Sequence, residues 1–361
     1  MLERRLYFHI DWLLIAAVAS LCAIGLGMIY STTGGPTRVY WTQSYALALG
    51  VVVMLAAMVV DYRTLVDKSH ILYLGLIGAL VAVMFFGSKQ MGAQRWLDLG
   101  FFNLQPSEFA KATLALVLAK LLGESRRQVL TNNELFMAVV LTAIPLLLIA
   151  RQPDLGTAVT LLPVLLVVTF VAGLPVKYLA ALAVVGVITA PVAWQFALED
   201  YQKERIETFL DPEQDPRGAG YQQIQARITV GSGGLRGKGF QEGTQGQLRF
   251  LPVAHNDFIF SVLAEEQGFV GVIVVLGLYL FVIMRALEAA KLAKDRLGAY
   301  LVLGVLSTFT FQVIYNITMS AGLAPVKGLT LPLMSYGGSS LIATLAAFGL
   351  ILNVRMRRFT N

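Results

Sequence analysis

Long apolar stretches follow one another along the whole chain, separated mostly by short polar segments. A transmembrane α-helix needs about 20 apolar residues, and these stretches lack the two-residue alternation of a barrel strand. The pattern predicts about ten transmembrane helices, at residues 12–30, 41–60, 70–86, 106–122, 134–150, 155–172, 174–196, 258–284, 298–322 and 333–354. We therefore expect an all-α integral membrane protein whose residues 1–361 form a single polytopic domain.

Charge and composition support this class. Charged residues make up 14% of the chain, compared with about 25% in ordinary soluble domains. Because short cytoplasmic loops collect Lys and Arg, a cytoplasmic N-terminus is favoured: fifteen basic residues then fall inside, and the short outer loops hold only Arg38, Lys89, Arg95, Arg151 and Lys327. Both termini are expected in the cytoplasm. The net charge of +6 suits a surface facing anionic lipid, so nucleic acid is not expected as a partner.

One polar segment, residues 199–256, becomes a large extracytoplasmic loop between the seventh and eighth helices in this topology. Loops of this length are usually functional or disordered. Residues 221–230 have the apolar spacing of a helix, a glycine cluster follows at residues 231–239, and Phe250-Leu-Pro252 leads back into the membrane. These features favour a folded, functional loop.

Ionisable residues cluster where this loop re-enters the membrane. His255 and Asp257 stand at the boundary, and Glu265 and Glu266 follow two turns later in the apolar segment. Such residues are costly inside a membrane and usually face a cavity or a partner. Asp257 is either the N-terminal cap of the eighth helix or a catalytic group, and its position alone does not decide between them. For Glu265 and Glu266, pairing with a basic residue is the simpler explanation.

Three further polar stretches carry candidate chemistry. In Gln105-Pro-Ser-Glu-Phe-Ala-Lys111, Glu108 and Lys111 lie three residues apart and can pair on one helix face; the alternative is a polar cleft with Lys111 near a lipid phosphate. In Arg151-Gln-Pro-Asp154, the default role of Asp154 is a helix cap. In residues 327–340, which include Ser335, Gly and Pro loosen a helix at the outer surface.

Five motifs, in order along the chain, resemble those of the SEDS proteins (shape, elongation, division and sporulation), and RodA more than FtsW. The motifs are Gln105-Pro-Ser-Glu-Phe-Ala-Lys111, Arg151-Gln-Pro-Asp-Leu-Gly-Thr157, Gly243-Thr-Gln245, residues 255–266 and Leu331-Pro-Leu-Met-Ser-Tyr-Gly-Gly-Ser-Ser340. The chain departs from the family pattern at Val253, where an acidic residue is usual, and at Asn256, where Thr is usual.

The resemblance implies a peptidoglycan glycosyltransferase of the bacterial cytoplasmic membrane, which polymerises lipid II outside the membrane during cell elongation and releases undecaprenyl pyrophosphate. The family's essential aspartate falls on Asp257. Joining two sugars with inversion needs a base that takes a proton from the acceptor hydroxyl. An isolated Asp, with a pKa of about 3.9, is a weak base, so we expect burial or repulsion from Glu265 to raise the pKa of Asp257.

The departing pyrophosphate needs positive charge, for which Lys111, Arg227, Arg236, Lys238 and Arg249 are candidates. The other predicted substrate-binding residues are Glu108, Asp154, His255, Glu265 and Ser335. A divalent cation, Mg²⁺ or Mn²⁺, could share this task, although the sequence shows no ligand set for it.

The resemblance also implies partners. These are lipid II and undecaprenyl-linked glycan, a class B penicillin-binding protein that supplies the transpeptidase, and other membrane proteins of the elongation complex. Two other functions remain open: a flippase for lipid-linked precursors, and a non-catalytic scaffold. A scaffold would tolerate Asp257→Asn, whereas a polymerase would not.

Overall fold

The protein is described by a computed structural model that covers residues 9–90, 93–98, 100, 103–125, 129–196, 200–215, 218–248 and 250–359. The helices, numbered in chain order, are α1 (Trp12–Thr33), α2 (Arg38–Val59), α3 (Tyr62–Asp67), α4 (Ser69–Phe86), α5 (Pro106–Gly123), α6 (Asn132–Ala150), α7 (Leu155–Val159), α8 (Leu161–Val171), α9 (Val176–Phe196), α10 (Asp200–Leu210), α11 (Ala219–Ser232), α12 (Thr244–Gln247), α13 (Ile259–Lys291), α14 (Arg296–Ser320) and α15 (Gly338–Met356). The strands are β1 (Ser88–Gln90), β2 (Ala93–Asp98) and β3 (Asn103–Leu104).

The expected helical membrane protein is confirmed. Within the described residues, 7 helices are long and apolar enough to cross a membrane, namely α1, α2, α4, α6, α13, α14 and α15. A shorter apolar helical segment, Leu155–Val171, covers the sixth predicted span. The fourth and seventh predicted spans coincide with α5, which carries Glu108, Lys111 and Lys120, and with α9. The total of ten spans and their orientation stay predictions.

Small residues bring the central helices close together. α15 packs along α2, and α14 packs against α5, α8 and α13. A Cβ added to Gly349 of α15 would lie 2.6 Å from the carbonyl oxygen of Met54 on α2, and one added to Gly304 of α14 would lie 2.9 Å from the Cβ of Ala115 on α5. Such close approach of backbones is how helices associate where lipid replaces water.

At the end of the bundle predicted to be cytoplasmic, ion pairs join helices that are distant in sequence. Asp11, which caps α1, contacts Arg285 of α13 at 2.8 Å and Arg355 of α15 at 2.6 Å. Arg63 of α3 contacts Asp295 at 3.0 Å. Basic residues that the charge bias placed on the inside therefore also tie the helix ends to one another.

A small antiparallel sheet with strand order β1-β2-β3 connects α4 to α5. Leu97 of β2 pairs with Leu104 of β3, and Lys89 of β1 pairs with Gln94 of β2. The hydropathy pattern does not predict these strands, because they are only 3, 6 and 2 residues long.

The long loop predicted between the seventh and eighth spans is folded in its described part. It contains α10, α11 and α12, and the helix predicted at residues 221–230 lies within α11. The eighth predicted span requires a correction, because α13 is kinked at Gly268, where φ is 63° and ψ is −164°. The first two turns of α13, up to this kink, are largely buried, whereas Phe269 and Val270 just beyond it are exposed.

The glycine cluster of the loop packs into this kink. The Lys238 and Gly239 amides donate to the carbonyls of Glu265 and Glu266 at 2.9 and 3.0 Å, and the Phe269 amide donates to the Gly234 carbonyl at 2.9 Å. A Cβ on Gly237 would lie 2.1 Å from the Glu266 carbonyl oxygen. The cluster thus lets the loop supply the backbone hydrogen bonds that the kink removes from α13.

Candidate active site

A cavity of about 900 Å³ lies among the N-terminal half of α2, the β-sheet, the start of α5, the turn before α13 and the segment that leads into α15. Its wall combines charged groups with apolar surface. The ionisable residues of the wall include Arg38, Arg95, Asp98, Glu108, Asp154, His255 and Asp257. Four of the predicted site residues therefore meet here: Glu108, Asp154, His255 and Asp257.

Asp257 belongs to a turn, residues 252–258, that precedes α13. The N-cap of α13 is Phe258, so the interpretation of Asp257 as the cap is wrong. The Asp257 carbonyl accepts a hydrogen bond of 2.8 Å from the Asn316 side chain, and the His255 carbonyl accepts one of 2.9 Å from the Tyr336 amide. The turn is fixed through its backbone, which leaves the Asp257 carboxyl group at the cavity wall.

The surroundings of Asp257 favour a proton acceptor. Burial raises the pKa of Asp257 to about 7, against the opposing positive charge of Arg205 on α10. Glu265 does not contribute to this shift, so of the two causes expected from the sequence only burial operates. Burial also lowers the pKa of His255. At neutral pH the cavity therefore holds a neutral imidazole beside a carboxyl group that can release or accept a proton.

The predicted pair of Glu108 and Lys111 forms the cavity floor. The Lys111 Nζ donates to Glu108 Oε2 at 2.7 Å and to Gln312 Oε1 of α14 at 3.1 Å. Glu108 and Gln312 line both the large cavity and a chamber of about 30 Å³ beneath it, to which Lys111 and Thr308 also contribute. The ion pair expected from the sequence is confirmed. A phosphate contact of Lys111 stays a prediction.

Asp154 caps a helix, as predicted, and also lines the cavity, whereas its contact with substrate stays a prediction. As the N-cap of α7 it accepts the Thr157 amide at 3.2 Å. Its other oxygen accepts from the Gln105 side chain at 3.1 Å, and Arg95 of β2 lies 3.9 Å away. Burial raises the pKa of Asp154, although Arg95 and the cap hydrogen bonds oppose this. The cap therefore also fixes one wall of the cavity.

Glu265 and Lys238 are joined to each other and lie away from the described lining of the cavity. Lys238 Nζ donates to Glu265 Oε1 at 2.6 Å, and the Glu265 carboxylate also accepts the Thr244 amide at 3.0 Å and the Gln245 amide at 3.2 Å. Glu265 is fully buried. This cluster anchors the long loop on α13, which matches the structural explanation given for Glu265 from the sequence.

The remaining predicted residues have other surroundings. The Ser335 hydroxyl accepts the Leu331 amide at 2.9 Å within a turn. Arg227 is exposed on α11 beside Gly322, and Arg236 is exposed in the glycine cluster. Arg249 lies outside the described residues. Substrate contacts of these four residues stay predictions.

Three arginines at or near the cavity are not predicted by the sequence pattern. Arg38 opens α2 and Arg95 lies on β2, and both line the cavity; Arg205 acts on Asp257 from α10. The only signal available was that Arg38 and Arg95 fall in short outer loops that otherwise hold few basic residues.

The carboxylates of the cavity do not form a ready metal site. Glu108 is paired with Lys111, and Asp154 accepts hydrogen bonds from Thr157 and Gln105. Across the described ranges, no group of three or more His, Cys, Asp or Glu side chains is arranged to hold a metal ion. The described residues therefore do not fit a protein-held cation.

Comparison with known proteins decides the family. A family model described as "Cell cycle protein", covering FtsW, RodA and SpoVE, matches residues 8–359. The chain belongs to this family. The peptidoglycan glycosyltransferase MrdB of Escherichia coli (strain K12) is 40% identical over 350 residues, which cover 97% of this chain and 94% of MrdB.

Solved structures of the FtsW/RodA/SpoVE family agree in fold. The crystal structure of the rod shape determining protein RodA of Thermus thermophilus is 32% identical, with a TM-score of 0.73 over 98% of both chains. A chain from a structure described as "Structural coordination of polymerization and crosslinking by a peptidoglycan synthase complex" is 35% identical, with a TM-score of 0.86 over 98% of this chain and 99% of that one.

Each motif behind the resemblance builds part of one assembly. Residues 105–111 form the cavity floor, residues 151–157 cap α7 at its wall, and residues 331–340 form the segment that leads into α15. Residues 243–245 hold the Glu265 carboxylate, and residues 255–266 form the Asp257 turn and the start of α13. The family motifs thus shape the cavity and the support for its key turn.

Proposed function

We propose that this chain is a peptidoglycan glycosyltransferase that polymerises lipid II, with Asp257 as the general base. The observation that carries the proposal is a carboxyl group with a pKa raised to about 7 by burial, in the wall of a cavity of about 900 Å³. That volume lies in the range of pockets that hold a drug-sized ligand, about 300 to 1,000 Å³. Family membership and the name of MrdB support the same reaction class.

In this reaction the acceptor hydroxyl attacks the anomeric carbon of the donor sugar. Asp257 takes the hydroxyl proton as the new carbon–oxygen bond forms, and the bond to the lipid diphosphate breaks with its electrons remaining on the diphosphate. A pKa near the working pH suits this role, because the group must be ionised and still be basic enough to accept the proton.

The cavity wall matches the two chemical parts of a lipid-linked sugar. Arg38 and Arg95 supply positive charge for a diphosphate, and Arg205 adds charge near Asp257. Tyr45, Leu49 and Ile342 form an apolar wall along α2 and α15, of which Tyr45 and Leu49 are exposed. We infer that the diphosphate lies near the arginines while the lipid chain follows this wall.

In this proposal a divalent cation is bound by the substrate and not by the protein alone. Mg²⁺ is commonly bound by one or two carboxylates together with substrate phosphates. Because the described side chains do not fit a protein-held ion, we propose that any Mg²⁺ or Mn²⁺ arrives on the diphosphate.

Location and partners follow from the same proposal. The chain would lie in the bacterial cytoplasmic membrane, with the cavity on the extracytoplasmic side, where the charge bias places residues 199–256. A class B penicillin-binding protein is the proposed partner, together with other membrane proteins of cell elongation. The structural relative described in terms of polymerization and crosslinking supports this pairing.

A flippase is the main competing function. Alternating access would require the predicted cytoplasmic end to open. There, Asp11 is 4% exposed and contacts both Arg285 and Arg355. Opening this end would separate Asp11 from both arginines and so break the contacts that join α1 to α13 and α15. The ion pairs favour a cavity that opens on one side only.

The deciding experiment compares wild type, Asp257→Asn and Asp98→Asn, each purified with the penicillin-binding partner and its transpeptidase blocked. Asp98 is the matched control, because it lines the same cavity but is exposed and accepts the Gly100 amide at 2.8 Å. Each sample receives fluorescent lipid II, and glycan chains are resolved on a gel. We expect polymer from wild type and Asp98→Asn, and a loss of at least about 100-fold with Asp257→Asn.

If Asp257→Asn makes as much polymer as wild type, Asp257 is not the general base. No polymer from any sample, under conditions in which a related polymerase is active, would instead favour the flippase or the scaffold.

A further inference from the structure

The side chain of Asn316 joins two segments of the chain through hydrogen bonds to their backbone carbonyls. It lies on α14, is fully buried, and donates both hydrogen bonds of its amide group to backbone carbonyls: to Asp257 at 2.8 Å and to Leu329 at 2.7 Å. These carbonyls belong to segments separated by about 70 residues of chain, the turn before α13 and the stretch that leads into α15.

The orientation of this amide follows from chemistry. A carboxamide has two donors on nitrogen and an acceptor on oxygen. Exchanging the two ends would point the Asn316 oxygen at two carbonyl oxygens, which cannot donate. The Asn316 Oδ1 has no partner among the described atoms. Both donors are therefore committed to holding the two segments.

The two segments meet at the proposed base. A Cβ on Gly328, next to Leu329, would lie 3.7 Å from Asp257 Oδ2. Gly328, Leu329 and Asp257 all line the cavity. Asn316 therefore sets both the position of the Asp257 backbone and the distance between its carboxyl group and the facing wall.

We propose that Asn316 is a positioning residue for glycosyl transfer, which holds Asp257 against the segment around Gly328 without touching the substrate. This inference rests on the proposed function, because it gives Asn316 a role only through Asp257. Asn316 does not appear among the described residues that line the cavity, so its loss is expected to leave substrate affinity nearly unchanged. A misplacement of about 1 Å at a reacting group can lower a rate by about 100-fold.

Asn353 provides a matched control. It is equally buried, lies at the opposite end of the bundle on α15, and its amide nitrogen donates to the carbonyls of Ala57 and Met58 at 2.8 and 3.0 Å. Replacing either Asn by Ala removes a buried carboxamide that donates to backbone carbonyls. Asn353 also donates to the Val60 carbonyl and accepts from the Tyr62 amide and from Arg357, so its removal breaks more hydrogen bonds than the removal of Asn316. Only Asn316→Ala releases the Asp257 turn.

The experiment measures lipid II polymerisation by the full chain with its penicillin-binding partner, for wild type, Asn316→Ala, Asn353→Ala and Asp257→Asn. For each sample, kcat, KM, the pH profile of kcat and the Tm are determined. We expect Asn316→Ala to lower kcat by at least about tenfold, with KM within about twofold of wild type. Asn353→Ala should have a lower Tm than wild type, without a comparable decrease in kcat per folded molecule.

The pH profile separates positioning from mere destabilisation. Release of the turn hydrates Asp257, so the acid limb of kcat should move below its wild-type midpoint. The ionisable groups that line the cavity with Asp257 include Arg38, Tyr45, Arg95, Asp98, Glu108, Asp154, His255 and Tyr336. Arg205 on α10 acts on Asp257, and it also acts on Tyr315 and Lys327. All of them are retained in Asn316→Ala, so a shift reports on Asp257.

Loss of activity by Asn316→Ala only in proportion to its unfolded fraction, with an unchanged acid limb, would overturn the proposal. An equal shift in Asn353→Ala would overturn it as well. Polymer from Asp257→Asn at the wild-type rate would overturn both this inference and the base assignment. If Asn316→Ala has the kcat and the pH profile of wild type while Asp257→Asn is inactive, the role of Asn316 is overturned and the assignment of Asp257 as the base stands.

Discussion

At the scale of single residues, the central feature is a carboxyl group whose ordinary pKa is too low for its proposed task. Burial raises the pKa of Asp257 to about 7, whereas Arg205 acts in the opposite direction. Because Arg205 is exposed, its effect is screened by solvent and salt, and burial prevails. A base of useful strength at neutral pH then results from the burial of Asp257 in the turn before α13, with no repulsion from Glu265.

The polymerisation rate should therefore depend on pH in a defined direction. The base works only when ionised, so kcat is expected to rise by about tenfold per pH unit below the pKa and to level off above about 7. Measuring kcat between pH 5 and 9 on one folded sample tests this. His255→Gln is the control for the neighbouring imidazole and should leave the midpoint in place. A midpoint near 4 would mean that Asp257 is solvated like a surface carboxylate.

Single residues also show where sequence reasoning stops. Asp257 was identified because its motif resembled a family, whereas its position alone allowed a helix cap equally well. Arg38 and Arg205 were not identified, since an arginine in an outer loop has no local signature of function. Their relevance comes from tertiary structure, which places Arg38 in the cavity wall and brings Arg205 of α10 close enough to act on Asp257, and such proximity is not encoded in spacing along the chain.

At the scale of elements, the length of each apolar stretch predicts where helices lie, but it does not predict a kink within a helix. The breaks predicted near residues 151–154 and 172–177 are present, because Pro153, Gly173 and Pro175 interrupt an otherwise continuous apolar run. The kink at Gly268 was missed, since hydropathy is continuous across it. The hydrogen bonds that compensate for it come from residues 234–239, and a pattern confined to the helix cannot reveal them.

The kink provides a prediction about stability. Gly268→Ala places a Cβ 2.2 Å from the Gly237 nitrogen, at a φ of 63°. A positive φ combined with a ψ near 180° is a backbone region that essentially only glycine adopts, and it costs another residue about 1–3 kcal/mol; the loop must also move. We expect a lower Tm and faster proteolysis between α11 and α12, because the glycine cluster loses its packing and its backbone hydrogen bonds to α13.

Gly277→Ala is the matched control for this prediction, since it lies on the same helix and has nothing within 4 Å of an added Cβ. There the substitution should raise stability slightly, because Ala is favoured over Gly inside a helix by about 1 kcal/mol. Equal behaviour of the two variants would show that the loop does not depend on the kink.

At the scale of the whole molecule, one end of the bundle is open to a cavity and the other end is closed by ion pairs. One end holds a cavity of about 900 Å³ with a half-apolar wall, and the other is tied by Asp11, Arg285 and Arg355 and by Arg63 and Asp295. This asymmetry suits an enzyme that meets a membrane-anchored substrate from one side. It leaves the direction of the bundle in the membrane to the charge bias alone.

That direction can be tested with single cysteines. The sole native cysteine, Cys22, is buried, and Cys22→Ala gives a background for three exposed positions: Glu124 after α5, Glu213 after α10 and Lys291 at the end of α13. Positive-inside orientation predicts that a membrane-impermeant maleimide labels Glu213→Cys in intact cells. Glu124→Cys and Lys291→Cys should react only after permeabilisation. The reverse pattern would turn the Asp257 cavity toward the cytoplasm, where a polymerase of exported lipid II could not work, and labelling of Glu124→Cys and Lys291→Cys on opposite sides would require a different number of spans between them.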